Sequence, residues 1–236
     1  MSNNIIEAKQ KFEEIGYCTF SLKDFDLEFY ELIKDYMFCT SEDNFNDFFT
    51  TFRFDSDKIE TVFREMESFE VANSKKEEML QNSDNEKVSQ CWFYENKFID
   101  FEKYLVEKRN LKEKNIKKYL QNKITDICKY FYNDTSLESK FNFNELQLTL
   151  YNKGCRFQQH IDGVGINFCS IIIYLNENYN KEYGGLLLLN DEQIVPELGK
   201  VALMDLETHA ARHGVSEVTD GPGRFAILCF PTKIES

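Results

Sequence analysis

A chain of 236 residues, 42% hydrophobic and 15% aromatic, has ample apolar side chain for a buried core, which excludes wholesale disorder. Its 41 acidic against 28 basic residues leave a net charge of −13. That disfavours nucleic acid as a partner, because affinity for a phosphate backbone rests on Lys and Arg displacing counterions. The opening MSNNIIEAKQKFEEIG has no long apolar run, and no later stretch approaches about 18 uninterrupted apolar residues, so the expectation is a soluble, cytoplasmic protein with no membrane span.

Composition divides the chain near residue 150. All three His, all three Pro and nine of the ten Gly lie at or after Gly154, so the first part suits helices joined by polar loops. Apolar spacing predicts a first helix carrying Ile5, Ala8, Phe12 and Ile15, and a second carrying Phe25, Phe29, Leu32, Ile33 and Tyr36. The stretch Glu65–Lys87 is densely charged and reads as a solvated lid or surface helix. Cys91-Trp92-Phe93-Tyr94 holds the only Trp and reads as packing. The clearest helical stripe runs from Ile116 through Tyr119, Leu120, Ile124 and Ile127 to Phe131.

From about residue 145 short β-rich runs take over. Strands are predicted at Leu146–Tyr151, Phe168–Leu175, Leu186–Leu189, Lys200–Met204, His213–Val218 and Arg224–Phe230. Turn chemistry separates them at Asn176-Glu177-Asn178, Gly184-Gly185, Pro196 to Gly199 and Asp220-Gly221-Pro222-Gly223. Many short strands with frequent turns imply a sandwich or barrel. The fold expected is α+β: one domain over residues 1–236, with a mainly helical N-terminal part over 1–140 supporting a β-barrel core over 145–232. Seven scattered cysteines without a CxxC pair suggest neither a zinc knuckle nor a disulfide framework.

Chemistry concentrates at His160-Ile161-Asp162. In an extended segment, residues i and i+2 point to the same side, so the imidazole and the carboxylate can converge on one point. A third ligand must come from His209 or His213, the only other histidines. Two His and one carboxylate with open positions suit non-haem iron(II) in oxygenases.

The ordered set Tyr151, Phe157-Gln158-Gln159-His160-Ile161-Asp162, Tyr174-Leu175-Asn176, Gly184-Gly185-Leu186, His213-Gly214-Val215 and Arg224 before an apolar strand resembles the prolyl 4-hydroxylase-like branch of the iron(II)/2-oxoglutarate-dependent dioxygenases. The resemblance implies a double-stranded β-helix, a jelly-roll or cupin-like barrel, for the core. It implies His160, Asp162 and His213 as ligands of Fe(II), with His213 preferred to His209 because Gly214-Val215 follow it. It further implies Arg224 as the anchor of the distal carboxylate of 2-oxoglutarate, with Tyr174 beside it and Tyr151 as a further co-substrate contact. Arg suits that carboxylate because its planar fork makes two charge-assisted hydrogen bonds. If Thr219–Pro222 turn the chain as a hairpin, Arg224 pairs opposite Glu217 on the face of His213, about 13–14 Å along the sheet from it. Ile172, Leu187 and Val215 are the expected dry wall.

The activity so implied is hydroxylation of a C–H bond with 2-oxoglutarate and O2 as co-substrates and ascorbate in support. Asp162 favours hydroxylation or dealkylation over halogenation, for which family members lack this carboxylate. The leading substrate is a Pro-containing peptide or protein, or proline. A small-molecule hydroxylase of the same family is the alternative, and a non-catalytic cupin-like metal-binding module is the alternative from another class.

Overall fold

The computed structural model describes residues 2–36, 50–54, 88–92, 116–140, 146–151, 153–161, 167–208 and 211–234. The charged stretch Glu65–Lys87, the aromatics Phe93 and Tyr94, the expected ligand Asp162 and the disfavoured third-ligand candidate His209 lie outside them.

Helix α1, Asn3–Ile15, buries Ile5, Ala8 and Phe12, and the Gly16 N–H closes it on the Phe12 carbonyl at 2.8 Å. The chain then enters β1, Tyr17–Ser21. The second predicted helix is two: α2, Leu22–Phe25, and α3, Leu27–Tyr36. Asp26 breaks it. Its backbone is extended, and its carboxylate accepts the Phe29 N–H at 3.0 Å, so α3 begins on a new cap. After β2 (Thr50–Phe54) and β3 (Val88–Trp92) comes α4, Ile116–Phe131, over the residues its stripe predicts.

The remaining strands follow in quick succession. They are β4 (Ser139–Lys140), β5 (Leu146–Tyr151), β6 (Phe157–His160), β7 (Cys169–Tyr174) and β8 (Leu187–Leu189). Then come β9 (Glu192–Ile194), β10 (Lys200–Asp205), β11 (His213–Val215), β12 (Arg224–Cys229) and β13 (Thr232–Lys233). All pairing is antiparallel. A seven-stranded sheet runs β1-β10-β7-β12-β5-β3-β2, a four-stranded sheet runs β6-β11-β8-β9, and β13 pairs with β4. Strands from the first 140 residues thus extend the large sheet.

Side-chain alternation explains why both faces of the large sheet are covered. Ile171 and Ile173 of β7, with Val201, Leu203 and Ile227, share a cluster with Phe12, Phe29, Leu120 and Phe131 of the helices. The alternate residues Ile172, Tyr174, Ala202, Met204 and Ala226 cluster instead with Leu187, Leu189 and Ile194 of the small sheet. All six residues of β7 are buried, as expected of a strand covered on both sides. Cys18, Cys128, Cys155, Cys169 and Cys229 are buried and outside any disulfide.

The hairpin register expected for Arg224 is wrong. Both edges of β11 are already occupied, by β6 and by β8, so β12 cannot pair with it. After β11 the chain bridges Val218 to Gly184, and Thr219 N–H donates to the Tyr183 carbonyl at 2.7 Å. It then crosses to the large sheet, where Arg224 pairs with Tyr151 and not with Glu217. The strand expected over His213–Val218 accordingly stops at Val215.

Candidate active site

The small sheet places His160 directly opposite His213 across the β6–β11 ladder. Their ring centroids lie 4.4 Å apart at 52°, and Phe157 packs edge-on to His160 at 4.7 Å. His213 is buried, and its Nδ1 lies 3.1 Å from the Ala211 carbonyl. A carbonyl only accepts, so Nδ1 carries the proton and Nε2 is the lone-pair nitrogen, the tautomer a metal-ligating imidazole needs. The segment entering His213 is held by the β8–β9 turn: the Asn190 N–H donates to the Arg212 carbonyl at 2.8 Å, and the Asn190 Oδ1 accepts the Arg212 N–H at 3.1 Å. Behind it, buried Asp205 accepts from the Tyr132 hydroxyl at 3.0 Å and from the Glu207 and Thr208 N–H groups at 3.1 and 3.2 Å.

Arg224 opens β12 and is 2% exposed. Its guanidinium carbon lies 5.0 Å from the Tyr151 ring centroid and 5.1 Å from that of Tyr174. Nη2 donates to the Tyr174 hydroxyl at 3.4 Å, while Nε is buried without a partner. Among the described residues no carboxylate pairs with it. Burial pushes the Tyr174 and Tyr179 hydroxyls above their ordinary pKa, partly offset by the Arg224 charge, so both are neutral donors at pH 7.

Tyr179 is a residue the sequence reading missed. Its buried hydroxyl has no hydrogen-bond partner among the described residues; near enough to Arg224 to feel that charge, it sits against Gly185. A Cβ there would lie 2.8 Å from the Tyr179 hydroxyl and 3.3 Å from the Arg224 Cβ, and the Gly185 φ of +63° disfavours any side chain. Asn176 was missed as well. It reads as turn chemistry in Asn176-Glu177-Asn178, yet its side chain is buried and bonded to both chain neighbours of Arg224.

The two halves are joined by a third apolar cluster. Tyr151, beneath Arg224, clusters with Cys155, Val215 and Val218, and Phe157 packs against them. Phe157 in turn touches His160. An open recess of about 490 Å³ is lined by Ile15, Tyr17, Asn190, Asp191, Gln159 and Arg212; it includes the chain neighbours of His160 and His213 but neither histidine.

Among the described residues no three His, Cys, Asp or Glu side chains gather at one point. Two histidines do, and Asp162 lies outside the described residues. This donor set fits a divalent transition metal. The buried guanidinium, with no acid beside it among the described residues, fits the carboxylate of a small anionic co-substrate.

The described residues thus form an antiparallel two-sheet fold with helices on one face, a histidine pair on one sheet and a buried Arg on the other. Residues 146–231 match the family model of the 2OG-Fe(II) oxygenase superfamily. That superfamily implies Fe(II), 2-oxoglutarate and O2, and an oxidoreductase. The fold is similar to a prolyl 4-hydroxylase from Pseudomonas putida, at TM-score 0.55 and 12% identity over 97% of this chain and 98% of that one. It is also similar to a prolyl hydroxylase from Trichoplax adhaerens, solved with a hypoxia inducible factor oxygen degradation domain peptide fragment (TM-score 0.55, 15% identity, 95% and 87% covered). A 2OG-Fe(II) oxygenase family oxidoreductase from Burkholderia pseudomallei gives 0.55 at 10% identity, over 98% and 92%. No curated protein matches the chain by sequence. Among the described residues no helix is long and apolar enough to cross a membrane.

Proposed function

We propose that this protein is an Fe(II)- and 2-oxoglutarate-dependent dioxygenase of prolyl 4-hydroxylase-like type, hydroxylating a C–H bond in a Pro-containing peptide or protein, or in proline. The whole chain would be one dioxygenase domain, its two sheets the walls of a double-stranded β-helix over residues 145–232. His160, Asp162 and His213 would hold the iron. Arg224, Tyr174 and Tyr151 would hold 2-oxoglutarate.

One observation carries the reading: Arg224 is a buried cation with an orphaned Nε and no acid beside it among the described residues. A folded protein rarely keeps such a charge unless a ligand completes it. That also separates the reading from a non-catalytic cupin-like module, which has no use for an anion site. When bound, the iron supplies the oxygen chemistry, coupling decarboxylation of 2-oxoglutarate to substrate hydroxylation.

The chain's own residues do the rest. The Ala211 carbonyl holds His213 in the metal-binding tautomer. Neutral Tyr174, donating to a bound carboxylate, would share it with the guanidinium. Leu187, Ile172 and Val215 are buried and keep bulk water from the space between the sheets.

A second reading, hydroxylation of a small molecule, would use the same metal and co-substrate residues. Incubation with Fe(II), ascorbate and 2-oxoglutarate should yield succinate, and a proline-rich peptide or a small polar substrate should raise the rate. Failure of the wild type to bind both divalent metal and 2-oxoglutarate would sink the proposal.

A further inference from the structure

We infer that Asn176 is a positioning residue for Arg224, a side-chain amide that takes over where the sheet ends. This rests on the reading of Arg224 as the 2-oxoglutarate anchor. The β7–β12 ladder has its last paired residues at Tyr174 and Ala226, with one further bond from Leu175 N–H to the Phe225 carbonyl at 3.1 Å. Beyond that the β7 backbone turns to another partner: the Asn176 carbonyl accepts from the Leu198 N–H at 2.7 Å. Backbone pairing therefore does not continue to Arg224 on this side.

The Asn176 side chain replaces it. Nδ2 donates to the Gly223 carbonyl at 2.8 Å, and Oδ1 accepts from the Phe225 N–H at 2.8 Å. The partners fix the amide's orientation, because a carbonyl only accepts and a backbone N–H only donates. An amide with one donor and one acceptor thus reproduces a rung of sheet around the residue between them. On the opposite edge Arg224 pairs with Tyr151 of β5. Its backbone is held from both sides.

Such a tether has a use here. The approach to Arg224, Asp220–Gly223, sets glycines at φ +84° and +83° on either side of Pro222, and neither glycine has a side chain to hold its backbone in place. Tyr174, the last residue of β7 and two residues before Asn176, meets the guanidinium. The three residues Tyr174-Leu175-Asn176 therefore locate Arg224 at both ends, phenol at the charge and amide at the backbone. Since Asn176 is 5% exposed, neither bond is easily replaced by water.

The test uses the full chain loaded with Mn(II), with 2-oxoglutarate affinity read by calorimetry and backbone exchange read by deuterium uptake. For Asn176→Ala we expect the 2-oxoglutarate Kd to rise about tenfold or more while the metal Kd stays within about twofold. The Phe225 amide should exchange faster, and Asn176→Ala/Arg224→Ala should bind no more weakly than Arg224→Ala alone. Asn176→Asp keeps the acceptor for Phe225 but sets a carboxylate oxygen against the Gly223 carbonyl, so it should weaken 2-oxoglutarate binding at least as much as Asn176→Ala, and it carries the test if the Ala variant does not fold. Thr149→Val removes a different buried bond to the same strand, Thr149 Oγ1 to the Ala226 carbonyl at 3.1 Å. It should lower Tm and leave co-substrate affinity intact.

A purely structural role predicts lowered Tm with unchanged affinity, or losses that add in full to those of Arg224→Ala; either result overturns the inference. If Arg224→Ala weakens binding but Asn176→Ala does not, the positioning role alone falls. If Arg224→Ala itself leaves affinity unchanged, the co-substrate reading fails and this inference with it.

Discussion

Replacing Arg224 by Met separates function from stability by sign. Arg224 is 2% exposed, its Nε is unpaired, and its one described hydrogen bond is a long one, 3.4 Å, to Tyr174. Burying an ion costs several kcal/mol even after relaxation. The Tyr151 and Tyr174 rings, 5.0 and 5.1 Å from the guanidinium carbon, return part of this, about 2 kcal/mol each at most when desolvated. The remainder, about 1–3 kcal/mol, is a standing cost of the co-substrate-free protein. Met fills much the same volume without charge. The Met variant should therefore be more stable than wild type by about that amount in urea denaturation without co-substrate, a rise of several degrees in Tm for a chain of this size.

In 2-oxoglutarate binding the same change should do harm. A charge-assisted pair with a carboxylate contributes about 1.5–3 kcal/mol, so the Kd should rise about 10- to 150-fold. Co-substrate should raise the wild-type Tm and leave the Met variant nearly unmoved. Wild-type affinity in the Met variant, or a loss of stability without co-substrate, would refute the reasoning, because Arg224 would then be a structural cation.

His160→Ala and His213→Ala should each abolish binding of Fe(II) or Mn(II) measured by calorimetry, whereas His209→Ala should leave it nearly untouched. Tyr174→Phe removes the hydroxyl that meets Arg224 Nη2 and should raise the 2-oxoglutarate Kd by roughly five- to tenfold with metal affinity intact. Asp26 caps α3 and pairs with Lys123 at 2.8 Å. Burial pushes its pKa up, but the Lys123 ammonium and the Phe29 N–H outweigh it and hold the carboxyl below 3.8. A lowered folded pKa gives stability that is present above the unfolded pKa and lost as pH falls through the folded one. Asp26→Ala should therefore cost about 1–2 kcal/mol at pH 7, with the gap to wild type closing below about pH 4 in denaturation at graded pH.

What the sequence made legible follows from how far each signal reaches. Helix α4 and strand β5 fall on their predicted residues because sixteen and six residues give a period room to show. Strands β6 and β9, of four and three residues, are too short for that, although the Asn190-Asp191 turn with Asn190 at φ +50° is a hairpin signal for β9. The break at Asp26 is hidden because Phe25, Phe29 and Leu32 keep helical spacing across it.

The identities of His160, His213, Tyr151, Tyr174 and Arg224 came from ordered motifs. The structure brings the two histidines together, and separately brings both tyrosines to Arg224. Asn176 and Tyr179 were not legible, because nothing local distinguishes a turn Asn from one bonded 47 and 49 residues away, or a surface Tyr from one buried against a Gly.

The failed register is the most informative error. Ten residues separate His213 from Arg224, and a hairpin is the natural reading of two strands so close in sequence. The chain instead spends the interval crossing between sheets, so the proposed metal ligands stand on the small sheet and the proposed co-substrate anchor on the large one. A hairpin would have set their separation by strand rise alone. Across two sheets it is set by side-chain packing, here the cluster of Tyr151, Cys155, Val215 and Val218 with Phe157 against it. Tyr151 faces Arg224 and Phe157 faces His160, so the cluster touches both parts directly. Interiors are close-packed and yield little. An apolar contact without chemistry of its own therefore fixes the span that a five-carbon diacid would have to bridge.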